Sequence, residues 1–254
     1  MRKTIKRAAA FAAVLALVLF AGACSIGYVN ETTFINRVTE TAVKAGVKIE
    51  IGYGIRGGIL DTEEVYQGSG VIYAQNESGE YFALTNNHVV QAPDGMLETY
   101  FSVIDCYGNR HEGKRINSSA DDDLAVVKFS VDASIYGALS LQVLPLAEEN
   151  APVNETVVSV GAPDGQFNAV TIGRILRYES VALTEEESSS HVSYPVICHT
   201  AVIHGGSSGG MLIDRNLQIV GINYAGASNE ETGEFYEGYA VPAENVRAFL
   251  NMDS

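Results

Sequence analysis

Six consecutive residues, Gly205-Gly206-Ser207-Ser208-Gly209-Gly210, are the sharpest chemical feature of the chain. A serine nucleophile needs an open Oγ and backbone N–H groups turned toward the oxygen that becomes negative when a carbonyl is attacked. Glycines on both sides let the backbone take positive φ and leave room for a substrate to approach. A Gly/Ser cluster alone also makes an ordinary turn, so its partners must decide. The same residues satisfy G-x-S-x-G, a nucleophile elbow in which the histidine has to follow the serine. No histidine occurs after His204, so that arrangement fails and any base lies upstream.

Five histidines are available: His88, His111, His191, His199 and His204. His88 ends the apolar run Ala83-Leu84-Thr85-Asn86-Asn87-His88-Val89-Val90, where the chain turns. A strand end fixes a side chain on a rigid element while leaving it open to a cleft. His111 lies among Asn, Arg and Glu and reads as a surface hairpin residue. An orienting carboxylate must hold the imidazole in the right tautomer and stabilise the imidazolium. Asp121-Asp122-Asp123 precedes the strand-like Leu124-Ala125-Val126-Val127-Lys128-Phe129. Asp123 abuts the buried strand and is the most easily desolvated, whereas Asp121 and Asp122 are expected to face water. Histidine, aspartate, serine is the chain order of chymotrypsin-type hydrolases.

Cys198-His199 with His204 suggests a metal site at first sight. Adjacent strand residues point to opposite faces, so Cys198 and His199 cannot easily share a ligand sphere, and no metal is expected. His204, four residues before Ser208, either lines a substrate pocket or is simply a loop residue.

These side chains must be positioned by short elements. From about Val47 to Tyr239 the chain consists of brief runs rich in Val, Ile, Tyr and Phe, separated by turn signals such as Asn76-Glu77-Ser78-Gly79 and Pro163-Asp164-Gly165. Many short strands without alternating helices predict an antiparallel barrel or sandwich. The loop-like Asp132–Asn150 divides the strands into two similar halves, and 184–190 is a polar surface loop. Phe34, Ile35 and Val38 share one face of a short predicted helix within 31–45. A second helix is predicted to begin at Pro242 and carry Val246, Phe249 and Leu250 inward.

Residues 1–24 read as an export signal, with Arg2, Lys3, Lys6 and Arg7 preceding an apolar run from Ala8 to Ala21. That run is shorter than the roughly 20 residues a membrane span needs. Phe20-Ala21-Gly22-Ala23-Cys24-Ser25 resembles a lipobox, which would lipidate Cys24 and tether the mature chain to the outer face of a bacterial membrane; ordinary cleavage and secretion is the alternative. Losing those four basic residues leaves 12 Lys+Arg against 31 Asp+Glu, a net charge of −19. Such a charge opposes binding to nucleic acid and to anionic lipid surfaces. Apart from Cys24 only Cys106 and Cys198 remain, so this is no disulfide-dense scaffold.

On its motifs the chain resembles the trypsin-like serine peptidases, most of all their HtrA/Deg branch. Gly68-Ser69-Gly70-Val71-Ile72 followed by Leu84-Thr85-Asn86-Asn87-His88-Val89-Val90 is similar to that branch's histidine region, and Asp123-Leu124-Ala125-Val126-Val127 to its aspartate motif. Gly161-Ala162-Pro163 through Val170-Thr171-Ile172-Gly173 resembles the start of its second barrel, and Gly206-Ser207-Ser208-Gly209-Gly210 its nucleophile motif. Ile219-Val220-Gly221-Ile222-Asn223 is similar to its substrate-side strand and Tyr239-Ala240-Val241-Pro242 to its closing segment. The likeness runs from about Val47 to Leu250. It departs at Ser207 and Met211, where the family usually has Asn and Pro.

The resemblance implies an all-β, chymotrypsin-like fold of two antiparallel six-stranded barrels with short N- and C-terminal helices. Residues 25–46 would form an N-terminal segment and 47–254 the peptidase domain, with barrel one over about 47–133 and barrel two over about 154–241. It implies a serine endopeptidase in which Ser208 attacks the scissile carbonyl, His88 takes and returns the proton, and Asp123 stays ionised. The N–H groups of Gly206 and Ser208 would hold the oxyanion. His204, Gly221, Ile222, Asn223 and Tyr224 would border the substrate, with the bulk of Tyr224 restricting the pocket to small or aliphatic side chains. The implied partners are polypeptide substrates and further copies of the chain, since the family often forms trimers; no cofactor is implied. The chain ends where the family often adds a PDZ domain, so control through one is not expected. Two rival readings are a catalytically inactive protease-fold binding protein on the cell surface and a structural lipoprotein with a coincidental Gly-Ser loop. The intact triad argues against the first and the ordered motifs against the second.

Overall fold

The computed structural model describes residues 31–54, 63–132, 134, 140–166, 168–182, 192–229 and 232–251. Residues 1–24, read from sequence as an export signal ending at Cys24, lie outside the described residues, as do the polar stretch 184–190 and His191. Helix α1 covers 31–40, and a 3-10 turn follows at Ala42–Ala45.

Twelve strands among the described residues form two closed antiparallel barrels. The first contains β1 (Gly46–Gly54), β2 (Glu63–Gln75), β3 (Glu80–Thr85), β4 (Leu97–Ile104), β5 (Arg110–Ser119) and β6 (Leu124–Ser130). The second contains β7 (Thr156–Gly161), β8 (Ala169–Glu179), β9 (Val196–His199), β10 (Met211–Ile213), β11 (Ile219–Ser228) and β12 (Phe235–Pro242). Around the first barrel the order is β1-β2-β3-β6-β5-β4, and around the second β7-β8-β9-β12-β11-β10. The two halves of the chain therefore share one connection pattern although no sequence repeat announces it. Closure removes exposed strand edges, which an all-β chain must otherwise protect.

Alternation fills each barrel. On β1, Ile49, Ile51 and Tyr53 are at most 1 % exposed and occupy every second position. In the second barrel Val157, Ile175, Ile197, Leu212 and Val220 converge in one buried cluster. Each such side chain contributes roughly 1.5–3 kcal/mol by leaving water.

Segment 140–150, expected as a loop, forms no strand but is fixed to both barrels. Leu144 N donates to Ile72 O at 3.0 Å on the first, and Ala147 N donates to Ile219 O at 3.0 Å on the second. The closing helix α3 runs over Ala243–Asn251, one residue later than predicted, because Pro242 still pairs with Gly221 as the last residue of β12. Val246 and Phe249 are buried as expected, while Leu250 is only half-buried. No helix among the described residues is long and apolar enough to cross a membrane.

Candidate active site

After β3 ends at Thr85, the chain makes a single helical turn, α2 (Asn87–Val90), which carries His88. Val89 and Val90 are buried, and α2 packs against β2, β5 and β6. Its last carbonyl, that of Val90, accepts from Tyr53 Oη at 3.1 Å and from Arg115 Nη1 at 2.7 Å. Both bonds satisfy a helix end that would otherwise lack partners.

Asp123 sits at the turn before β6, with φ +48, and is 1 % exposed. Left-handed backbone is costly for most side chains but tolerated by Asp. The turn is fixed from outside, since Asn86 Nδ2 donates to Asp123 O at 2.9 Å. The carboxylate then grips His88 twice. Oδ1 accepts the His88 backbone N–H at 2.9 Å, and Oδ2 lies 2.8 Å from Nδ1 of the ring. A carboxylate only accepts, so Nδ1 carries the proton and Nε2 keeps its lone pair. Asp121 is exposed, and Asp122 is half-buried with Oδ2 accepting from Ser119 Oγ at 2.7 Å.

On the second barrel, His204 to Ser207 forms a tight turn in which Ser207 N donates to His204 O at 2.9 Å. Gly206 is its third residue and has φ +90, a conformation that a side chain strains. Ser207 Oγ accepts from His204 N at 3.2 Å, a second bond across the same turn. Among the described residues, the N–H groups of Gly206 and Ser208 donate to nothing. Two free donors beside a serine Oγ are what an oxyanion site needs.

Ser208 Oγ donates to Tyr224 O at 3.3 Å, and no hydrogen bond joins it to His88 among the described residues. The two barrels meet there. Ser69 N donates to Ser208 O at 2.8 Å, and neighbouring Gly68 lies against Val89 of α2 and the carbonyl of Ser208. His88 and Asp123 are therefore joined directly, and Ser208 is brought to their side of the interface through β2.

The strand expected to border substrate divides in two. Gly221 and Ile222 pair with β10 on one edge and β12 on the other, so neither backbone edge is open to a peptide. Asn223 is fully buried, with Nδ2 donating to Ser159 Oγ at 2.8 Å and O accepting from Gly209 N at 2.8 Å. Tyr224 sits at a register shift in the β11–β12 ladder, and its carbonyl faces the nucleophile. Tyr224 is only 2 % exposed as a residue, and its ring lies against Tyr239. Gly226 faces Ile203 and Phe235, which form an apolar wall there. His204 is exposed, its ring edge-on to Phe235 at 6.5 Å.

His111 differs from expectation. It is 5 % exposed, with Nε2 at 2.9 Å from Asp105 Oδ2 and its ring near Phe129. His199 is fully buried in the second barrel, and burial pulls its pKa down to about 4 against the opposing influence of the nearby Asn223 amide. Cys106 and Cys198 are both free, and burial pushes each thiol up to about 11. Sequence reasoning missed Tyr194, whose hydroxyl donates to Asp122 O at 3.1 Å and whose pKa burial raises. It also gave Ser69 and Thr85 no role beyond motif membership.

A paired-barrel fold with an Asp-oriented histidine and a glycine-flanked serine across the interface defines the trypsin-like class of peptidases. The chain belongs to this family: the trypsin-like peptidase domain matches residues 68–222. It is 30 % identical over 191 residues to the serine protease Do-like HtrA of Lactobacillus helveticus, covering 74 % of this chain and 43 % of that one. Over 197 residues it is 26 % identical to the periplasmic serine endoprotease DegP of Escherichia coli K12, covering 77 % and 37 %. The chain thus spans less than half the length of these relatives. Among solved structures, the HtrA-type protease AlgW with a decapeptide superposes with TM-score 0.65 at 21 % identity, over 87 % of this chain and 68 % of that one.

Proposed function

We propose that the protein is a serine endopeptidase acting through an acyl-enzyme intermediate. The double hold of Asp123 on His88 is the observation that carries this reading. In this reading Nε2 is left as the base. Ser208 Oγ turns from the Tyr224 carbonyl to Nε2, gives up its proton and attacks the scissile carbonyl. Apo geometry of this kind is commonly loose and tightens once substrate binds. The N–H groups of Gly206 and Ser208 receive the developing oxyanion. His88 then returns the proton to the leaving amine, and water repeats the sequence on the ester.

Past Asn223, no strand among the described residues pairs with the β10-side edge of β11. A substrate in extended conformation fits beside Tyr224 to Gly226, with its side chain against Ile203 and Phe235. Uncharged side chains of medium size are favoured there, so a peptide library should show cleavage after aliphatic residues and little after Arg. The decisive comparison is casein hydrolysis by wild type and Ser208→Ala. Activity should vanish in the variant, and equal activity in both would refute the assignment.

Export fits the similarity to DegP, which is periplasmic by its name. The mature chain is tethered through a lipid at Cys24. A clickable palmitate analogue should label the wild type in cells and leave Cys24→Ala unlabelled and released.

A further inference from the structure

Ser69 lies in β2 of the first barrel and is fully buried, yet every polar atom it has is engaged at the junction of the barrels. Its Oγ donates to Gly206 O at 2.7 Å and accepts from Ala162 N at 2.8 Å. Its N–H donates to Ser208 O at 2.8 Å. Its own carbonyl accepts from Thr85 Oγ1 at 2.7 Å, and Thr85 is the last residue of β3, just before the turn to His88. One side chain and its backbone thus hold the carbonyls of Gly206 and Ser208. Among the described residues, both of these leave their own N–H groups without an acceptor.

We infer that Ser69 is a positioning residue that sets the oxyanion donors from the opposite barrel; the inference rests on the endopeptidase reading. The Gly206–Ser207 peptide is held at both of its polar atoms, since Ser207 N donates to His204 O at 2.9 Å and Gly206 O accepts from Ser69 Oγ at 2.7 Å. The Gly206 N–H belongs to the preceding peptide, so Ser69 acts on it through the Gly206 Cα: with the following plane anchored, the φ of +90 fixes where that N–H points. The bond from Ser69 N does the same for the peptide after Ser208. Because Thr85 holds Ser69 in turn, the base on α2 and the donors on the 204–209 turn are referred to a common point. Misplacement by about 1 Å can cost on the order of 100-fold in rate. Ser69 touches no substrate, and its whole effect passes through the turn.

Ser69→Ala tests this, with kinetics on a peptide amide, inhibition by a matched peptide aldehyde, and thermal unfolding. The aldehyde forms a tetrahedral adduct with Ser208 whose oxygen needs the same two donors. The expected result is a fall in kcat of about 10- to 100-fold, KM within about 3-fold of wild type, and aldehyde affinity weakened by the same factor as kcat. Ser69→Thr, which keeps the hydroxyl, should recover most of the rate. Should Ser69→Ala not fold, Ser69→Cys fills the same space with a much weaker donor and carries the same expectation. A folded Ala or Cys variant with unchanged kcat and aldehyde affinity overturns the inference, as does a loss confined to KM. Absence of Ser208-dependent hydrolysis in the wild type overturns instead the reading beneath it.

Discussion

Asp123 makes both of its oxygens count, one on the backbone N–H of His88 and one on the ring. In Asp123→Asn the amide nitrogen would face Nδ1 as a donor, moving the ring proton to Nε2 and removing the base. Turnover should fall about 10⁴-fold with the fold intact, as found when this tautomer is lost in comparable sites. Steady-state kinetics beside a thermal melt check this, and a loss under about 10-fold would speak against the role. Gly206 offers a second test. A β-carbon at φ +90 strains the turn by roughly 1–2 kcal/mol, so Gly206→Ala should flip it. The expected loss in kcat is about 100-fold, comparable with removal of one oxyanion donor.

At the scale of elements, β9 brings His199 opposite Gly238, where even a β-carbon would lie 2.5 Å from His199 Cε1. The site has no room for a hydration shell, so the ring stays neutral down to about pH 4. The unfolded chain binds a proton near the ordinary value of about 6.5, and the folded chain does not. Stability therefore falls as pH drops from 6.5 to 4, by on the order of 3 kcal/mol, and this contribution levels off below. Urea unfolding at pH 7 and 4.5 should show it, with a smaller difference in His199→Gln; an equal difference in both would refute it. Elements of this kind were largely legible in the sequence. Runs such as Leu124 to Phe129 and Ile219 to Ile222 declared strands through their β-branched residues, and the break before Thr156 separated the barrels. Contacts between distant segments were not legible. Ser69 meets partners 93 and 137 residues away. Polar neighbours disguised the burial of His111, and the register shift at Tyr224 decided which part of that residue faces the cleft.

Two barrels with one connection pattern meet at a surface to which each contributes part of the proposed site. His88 and Asp123 belong to the first barrel, and Ser208 to the second. Gly209 marks how tight the junction is: its β-carbon would lie 2.1 Å from Ser69 O and 2.2 Å from Thr85 Oγ1. Gly209→Ala, at φ +83, should destabilise the protein by on the order of 3 kcal/mol and lower Tm by roughly 5–10 °C. Calorimetry will show it, and an unchanged Tm would mean that the junction yields easily. In the proposed mechanism the junction activates Ser208. Reaction of the folded protein with a fluorophosphonate, followed by peptide mapping, tests it most directly. Wild type should carry the phosphonyl group on Ser208, and His88→Ala should react far more slowly. Folded wild-type protein that remains unmodified, or that reacts equally without His88, would contradict the account.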